Sequence, residues 1–401
     1  MKRAPLKIAI LLPEVADIGW RWRAQRIAAE LMMETCPEDR PIEVALGLPK
    51  TDEITWRRQE AEILAGAPGV VVRHLGWERA PTDMAQRMFP ECRVDVEMSP
   101  DCALPRDWGW NFVDCDAWIV CASSGQGAVF HVKPTAYYVR DLAERYVPEA
   151  FADNINSLYW TRQAHAFRAM RQARSVIVAD PSTEDDVSGY AGVRRSRILQ
   201  VPQVLPSFDR PRRPSTSKRR TLLWLVEPNP QHDLTNALEG LRMFQADGGD
   251  FDVIVAGEGA FAFDPIEGQL ALSSVPTRSR RPTTRMQFET VSSEADLQRV
   301  IARADWIWSS ATAQAENEGL LRAASANLPF IGLRYPQNER LSKALGVHAQ
   351  LYGGSGPNEI ADALAAAARF DLSLTTTPER PAPRPSGWRS VVESLWGGDV
   401  A

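Results

Sequence analysis

Three things are scarce in this 401-residue chain, and each scarcity closes off a class of protein. Cysteine occurs only five times, at Cys36, Cys92, Cys102, Cys115 and Cys121. The five are scattered, odd in number and never in CxxC spacing, which points away from a disulfide framework or a zinc site and towards reduced thiols in a cytoplasmic setting. Long apolar runs are missing too. None approaches the roughly 20 residues that span a bilayer. The N-terminal stretch MKRAPLKIAILLPEV has basic residues and an apolar run, but Glu14 and Asp17 follow without a small-residue cleavage pattern, so it reads as a first buried strand rather than a signal peptide. Positive charge is not in excess either: the net charge of -5 lacks the global signature of a nucleic-acid binder. What is present is ample for burial, with 44% hydrophobic residues. The length suits two domains of about 200 residues each.

Along the first half, apolar strand candidates (Lys7 to Leu12, Ile42 to Leu48, Gly69 to Arg73, Ala117 to Cys121, Thr135 to Val139, Ser175 to Val178) alternate with amphipathic runs such as Trp20 to Met33. This βαβ rhythm predicts a parallel sheet wrapped by helices. The stretch PSFDRPRRPSTSKRR after Val201-Pro202 is rich in Pro, Ser and Arg and has no periodicity, so the domain boundary is placed there. The rhythm then restarts with strands at Leu222 to Val226, Asp252 to Ala256, Trp306 to Trp308 and Phe330 to Leu333, and helices near Leu234 to Gln245 and Asn358 to Ala368. A Pro-rich link, Thr377 to Pro385, leads to a last amphipathic helix, Trp388 to Trp396. The expected domains are residues 1–206, with residues 386–401 packing back on them, and residues 221–376.

The most informative block is Leu297 to Gly332, which reads as helix, buried strand, polar loop, helix and buried strand. Ligands of open parallel sheets lie beyond the carboxyl ends of the strands, so Ser309, Ser310, Glu316, Glu318 and Gly319 stand where a ligand would lie. Gly257 and Gly259 follow the strand FDVIVA, where a missing Cβ lets backbone approach a diphosphate.

This block resembles the donor-binding region of group 1, GT-B glycosyltransferases: an Ala-Asp-apolar strand, a Ser-type loop, a Glu-Gly turn and a helix ending before the next strand. Tyr159 to Pro206 and Leu222 to Gly259 resemble other segments of that family, and about half of the chain follows its order of motifs. The resemblance implies two Rossmann-like domains facing across a cleft, a nucleotide-sugar donor, no metal or other cofactor, and transfer to a glycan, lipid-linked or protein acceptor with retention of configuration. It also implies that Gly257 and Gly259 lie by the donor phosphates.

Several family positions are changed. Glu227 and His232 stand near the usual Arg and Lys of the phosphate-side loop, so His232 is the remaining candidate there. Arg322 falls at the second acidic position of the helix, with Gln314, Glu316 or Glu318 at the first, and an arginine there could contact donor phosphate or an acidic sugar. In KPTAYYVRDLAERY, Arg140 takes the place of a histidine and Asp141 is kept, while Gly19 matches the family's glycine loop. Arg140, Asp141 and Glu318 are thus the catalytic candidates. Trp20, Trp22, Trp108, Trp110 and Trp160 could stack on sugar rings if exposed. The basic runs Arg210 to Arg220 and Arg278 to Arg285 could meet anionic lipid at the inner face of a membrane or replace the missing cations. The alternative reading is a catalytically silent module that binds a glycan or a partner protein; a nucleic-acid acceptor fits the acidic charge least.

Overall fold

The structure, a computed structural model, describes residues 4–14, 16–36, 39–92, 100–122, 127–148, 157–208, 219–226, 233–258, 286–312, 317–372 and 387–396. The chain divides into two compact units. One comprises Met1–Arg145, Ala152–Val204 and Pro383–Ala401, and the other Tyr146–Phe151 and Leu205–Ala382.

The first unit holds β1 (Leu6–Leu11), α1 (Ile18–Met33), β2 (Ile42–Pro49), α2 (Glu53–Gly66), β3 (Val71–Leu75), β4 (Trp77–Pro81), α3 (Thr82–Met88), β5 (Asp101–Pro105), β6 (Ala117–Ala122), β7 (Thr135–Val139), α4 (Ser157–Gln172), β8 (Ser175–Val178), α5 (Pro181–Gly189) and β9 (Ile198–Gln200). Among the described residues its main sheet has seven strands in the order β3-β2-β1-β6-β7-β8-β9, with every pair parallel. β4 and β5 form a separate antiparallel pair. The central strands are largely apolar because helices cover both faces, and Ile8, Ile10, Ile119 and Val120 are fully buried. The C-terminal helix Trp388–Trp396 belongs to this unit and contacts α1, β7 and β8. Trp388, Val391, Val392 and Leu395 are buried in the core on that face, each aliphatic side chain contributing about 1.5–3 kcal/mol. Ser394 and Ser175 share a 2.9 Å hydroxyl bond beside them.

The second unit holds β10 (Arg220–Val226), α6 (Leu234–Ala246), β11 (Phe251–Glu258), β12 (Met286–Val291), α7 (Glu294–Ile301), β13 (Trp306–Ser309), α8 (Glu318–Ala326), β14 (Phe330–Leu333), α9 (Pro336–Leu345), β15 (Ala349–Tyr352) and α10 (Pro357–Arg369). Among the described residues its six strands run parallel in the order β12-β11-β10-β13-β14-β15. The strand order reverses between β10 and β13, as it does between β1 and β6 in the first unit. Such a reversal opens a crevice at the carboxyl ends of the two strands. The register of β10 on β13 is held at its start by Asp305, whose N–H donates to the Thr221 carbonyl at 2.8 Å and whose carboxylate accepts from the Thr221 N–H at 2.9 Å. Asn327 ends α8 in the left-handed region at φ 52°, which an asparagine tolerates. Among the described residues no helix is long and apolar enough to cross a membrane.

Candidate functional site

At the reversal point of the second unit, the two strands end on a stiff aromatic base. Trp224 of β10 and Trp308 of β13 stack at 4.6 Å between ring centres, 26° from parallel. The Trp224 indole N–H donates to the Ser310 Oγ at 3.2 Å, and the Tyr352 hydroxyl donates to the Ser309 carbonyl at 3.3 Å. Burial pushes the Tyr352 phenol well above its ordinary range, so it stays protonated as a donor. Ser309 is the last residue of β13 rather than part of the loop, and its Oγ accepts from the Ala311 N–H at 3.3 Å. The Ser310 carbonyl accepts from the Asp233 N–H at 3.3 Å, which joins the residue ahead of α6 to the end of β13. Both serines are more than nine-tenths buried.

α8 begins immediately beyond. Asn317 caps it by accepting the Leu320 N–H at 3.2 Å, and Glu318 occupies its first turn. Gly319 is small for a reason: a Cβ there would stand 3.2 Å from the Cβ of Ser309 and 3.2 Å from the Phe330 ring. The first turn of α8 therefore lies directly against the end of β13, and a helix N-terminus of this kind favours anionic groups.

Arg322 does not offer its charge outward. It is about 1% exposed, and its Nε donates to Glu318 Oε1 at 2.7 Å, while Nη1 and Nη2 both reach Glu294, the second at 2.8 Å to Oε2. Burial works against the guanidinium charge, but the carboxylates of Glu318 and Glu294 outweigh it and raise its pKa. The expectation of an arginine open to donor phosphate meets, instead, a guanidinium engaged by two carboxylates. Gly257 likewise lies inside β11, paired with Val226 and Thr290, rather than in the turn after it. His232, Gly259 and Glu316, with Glu227 and Gln314, lie outside the described residues.

In the first unit, Gly19 sits in the first turn of α1 rather than in a free glycine loop, and its carbonyl accepts from Arg23 Nη1 at 3.0 Å. Asp17 caps this helix through the Trp20 N–H at 2.7 Å. Arg140 and Asp141 follow β7, joined by a 3.2 Å ion pair, and the Arg140 guanidinium lies 5.2 Å from the centre of the Trp20 ring. Trp20 meets Tyr138 edge-on. Arg140, Asp141 and Gly19 thus gather at one end of the first unit's sheet, whereas Ser309, Ser310, Glu318, Gly319 and Arg322 gather in the second. Of the tryptophans considered for sugar stacking, Trp20 and Trp22 are buried at 4% each and only Trp110, at 71%, is largely exposed. The linker and 278–285 basic runs lie outside the described residues except for Arg219 and Arg220, and Arg219 pairs with Asp250 at 2.8 Å.

Sequence reasoning missed Trp224, Tyr352, Asn317 and Glu294. The Asn-Glu-Gly order at the start of α8 carried a capping signal for Asn317; the other three act between elements distant in sequence and leave none.

No protein-family model matches this sequence, and no curated protein does. The architecture does match solved structures. One is UDP-GlcNAc 2-epimerase from Neisseria meningitidis bound to UDP-GlcNAc, at 10% identity and TM-score 0.57, with 97% of this chain and 99% of that one covered. Another is WaaG, a glycosyltransferase involved in lipopolysaccharide biosynthesis, at 13% and 0.56, covering 98% and 100%. A third is a glycosyltransferase from Rickettsia africae ESF-5, at 9% and 0.55, covering 99% and 100%. The fold is the two-domain α/β fold of GT-B proteins, and at these identities the likeness is one of fold.

Proposed function

We propose that this chain is a glycosyltransferase that takes a sugar from a nucleotide-sugar and passes it to a glycan, lipid-linked or protein acceptor. The observation that carries the reading is the reversal point of the second unit, where Ser309 ends β13 against the Asn317-capped start of α8 and Ser310 follows it. A departing nucleoside diphosphate gathers negative charge, and fixed N–H dipoles at a helix start stabilise such charge without reorganising. The motif order in the sequence supports the same reading, as does the GT-B fold, which glycosyltransferases such as WaaG share. In this proposal the second unit binds the donor, the first unit binds the acceptor near Gly19, Arg140 and Asp141, transfer retains configuration, and no metal takes part. The enzyme works in the cytoplasm, with its basic runs able to meet an anionic membrane surface.

A second reading, a catalytically silent module that binds a glycan or a partner protein, draws support from Arg322, whose guanidinium is already engaged by Glu294 and Glu318. A thermal-shift screen against UDP-, GDP-, ADP- and dTDP-sugars separates the two. A ligand at a hundred times its Kd raises stability by about 2.7 kcal/mol. A shift with release of nucleoside diphosphate supports the transferase, a shift without release supports the silent module, and no shift with any of the four removes the donor site. Flotation with phosphatidylserine vesicles at low and high salt tests the membrane contact.

A further inference from the structure

The acid-base-acid chain at the start of α8 has a geometry that stability alone does not account for. Arg322 is buried among Glu318, four residues earlier on the same helix, and Glu294, at the start of α7. Its two Nη groups take the Glu294 carboxylate as a fork, and its Nε takes a single oxygen of Glu318. Glu294 is itself pinned: Gln298 Nε2 donates to its Oε1 at 3.4 Å and to the Ser207 carbonyl at 2.9 Å. A buried ion chain of this kind is poor value as a stabiliser, because packed apolar residues of similar volume often do as well or better. What it fixes is direction. Only a planar guanidinium can hold one carboxylate by a fork and aim a third N–H at another, and a lysine cannot reproduce both contacts.

The chain also has a place. Glu318 stands in the first turn of α8, against Ser309 through the close contact at Gly319. Glu294 follows β12, on the same carboxyl edge of the sheet. The chain therefore ties together the starts of two helices on the ligand side.

We propose that Arg322 is a positioning residue: clamped on Glu294, it holds the Glu318 carboxylate in the one orientation in which it meets the donor sugar. This rests on the donor reading above. Glu318 is the group that touches substrate, and Arg322 acts through it.

The test is donor turnover by the whole protein, followed as release of nucleoside diphosphate, in Arg322→Met, Arg322→Lys, Glu294→Gln, Glu318→Gln and the double variant Arg322→Met with Glu318→Gln. Assays run well below each variant's Tm. Misplacing a reacting contact by about 1 Å lowers rate on the order of a hundredfold. Arg322→Met is therefore expected to lower kcat by roughly that factor, with donor KM nearly unchanged. Glu294→Gln, which leaves Arg322 its Glu318 partner and an amide oxygen in place of the second carboxylate, should lower kcat less but in the same pattern, and Arg322→Lys should restore only part of the loss. On the Glu318→Gln background, Arg322→Met should add no further loss, because the group it positions is gone.

Should Arg322→Met not fold, Glu294→Gln decides alone. Unchanged kcat in Glu294→Gln and Arg322→Met, a full additional loss in the double variant, or a rise in KM with kcat intact would each overturn the proposal, the last by making Arg322 a direct donor contact. A parent protein that turns over donor while the variants are unaffected sinks the clamp alone. A parent that binds no sugar-nucleotide sinks the donor reading and the clamp with it.

Discussion

Replacing Asp305 by alanine should loosen the second unit at the strand pair that makes its site. Asp305 directly precedes β13, and its carboxylate accepts the N–H of Thr221 on β10 while its own N–H donates to the Thr221 carbonyl. These bonds close the first rung of a register that runs from Leu222 opposite Trp306 to Leu225 opposite Ser309. Both residues are more than nine-tenths buried, so in Asp305→Ala the Thr221 N–H loses a charged acceptor and gains no water. A hydrogen bond to a charged group contributes about 1.5–3 kcal/mol, and an orphaned buried donor costs about 1–3 kcal/mol, two overlapping ways of counting one loss of about 2–3 kcal/mol. Asp305→Asn keeps an acceptor oxygen and gives up only the charge, so it should cost about 1 kcal/mol. Because two units unfold within one chain, the effect is best read locally, by hydrogen exchange of β10 and β13 in parent and variants. Exchange in those strands should speed up most in Asp305→Ala, while the strands of the first unit keep their rates. The reasoning fails if the two variants are equally destabilised, if neither is, or if the acceleration appears in the first unit instead.

Glycine-to-alanine changes in two helices should differ in their effect on stability. Within α6, a Cβ at Gly240 would lie 2.7 Å from Ile360 Cβ and 2.9 Å from the Pro357 carbonyl. The helix-propensity gain of about 1 kcal/mol then loses to an overpacking cost of about 1–3 kcal/mol, so Gly240→Ala should lower the urea midpoint of the second unit. At Gly189, the last residue of α5, a Cβ meets nothing within 4 Å, and Gly189→Ala should leave stability unchanged or raise it by up to about 1 kcal/mol. Acid should weaken the first unit through His131, whose ring lies 3.1 Å from the Tyr137 hydroxyl and whose pKa burial lowers to about 4. The unfolded chain, with its histidine near about 6.5, takes up the proton first. Stability present above that value is therefore lost as pH falls towards the folded value, by up to about 3 kcal/mol. In His131→Asn the melting temperature should fall less steeply between those two pH values than in the parent; parallel curves would exonerate His131. Truncating Trp388 to alanine should cost about 3–5 kcal/mol and release the C-terminal helix to limited proteolysis ahead of the rest of the unit; cleavage at the parent rate would contradict its role in the core.

The sheets were legible wherever a strand is buried on both faces. Thr135–Val139, Ser175–Val178 and Phe330–Leu333 have the ends their apolar runs imply, because in a parallel sheet covered by helices the hydrophobic run and the strand coincide. What was missed is structure without an apolar run. Trp77–Pro81 and Asp101–Pro105 are short, end in proline and find each other across a long intervening segment. Met286–Val291 and Ala349–Tyr352 are partly exposed edge strands, whose pairing partners rather than their own residues make them strands. Helix limits fared better where the chain carries its own stop signal, as at Asn327, whose side chain suits a left-handed cap.

The sequence marks a candidate place for a site but not the partners of its charges. A buried strand followed by Ser309 and Ser310 marks the place where ligands of open parallel sheets lie, beyond the carboxyl ends of the strands. Arg322, expected as a cation open to the donor, is engaged by two carboxylates, because a side chain's charge belongs to whatever surrounds it. Half of the answer was within reach: Glu318 and Arg322 stand at i and i+4, the spacing at which an acid and a base on one helix meet. The other half, Glu294, is brought in from α7 by the sheet order and has no local signature. Around the start of α8 that leaves two carboxylates to one guanidinium, so in the donor reading the helix-start N–H groups meet the diphosphate with no net positive side-chain charge from this trio. Within the donor reading, cations for the diphosphate must then come from other parts of the chain, and substitutions that test phosphate binding belong at His232 and at the 278–285 arginines before they belong at Arg322.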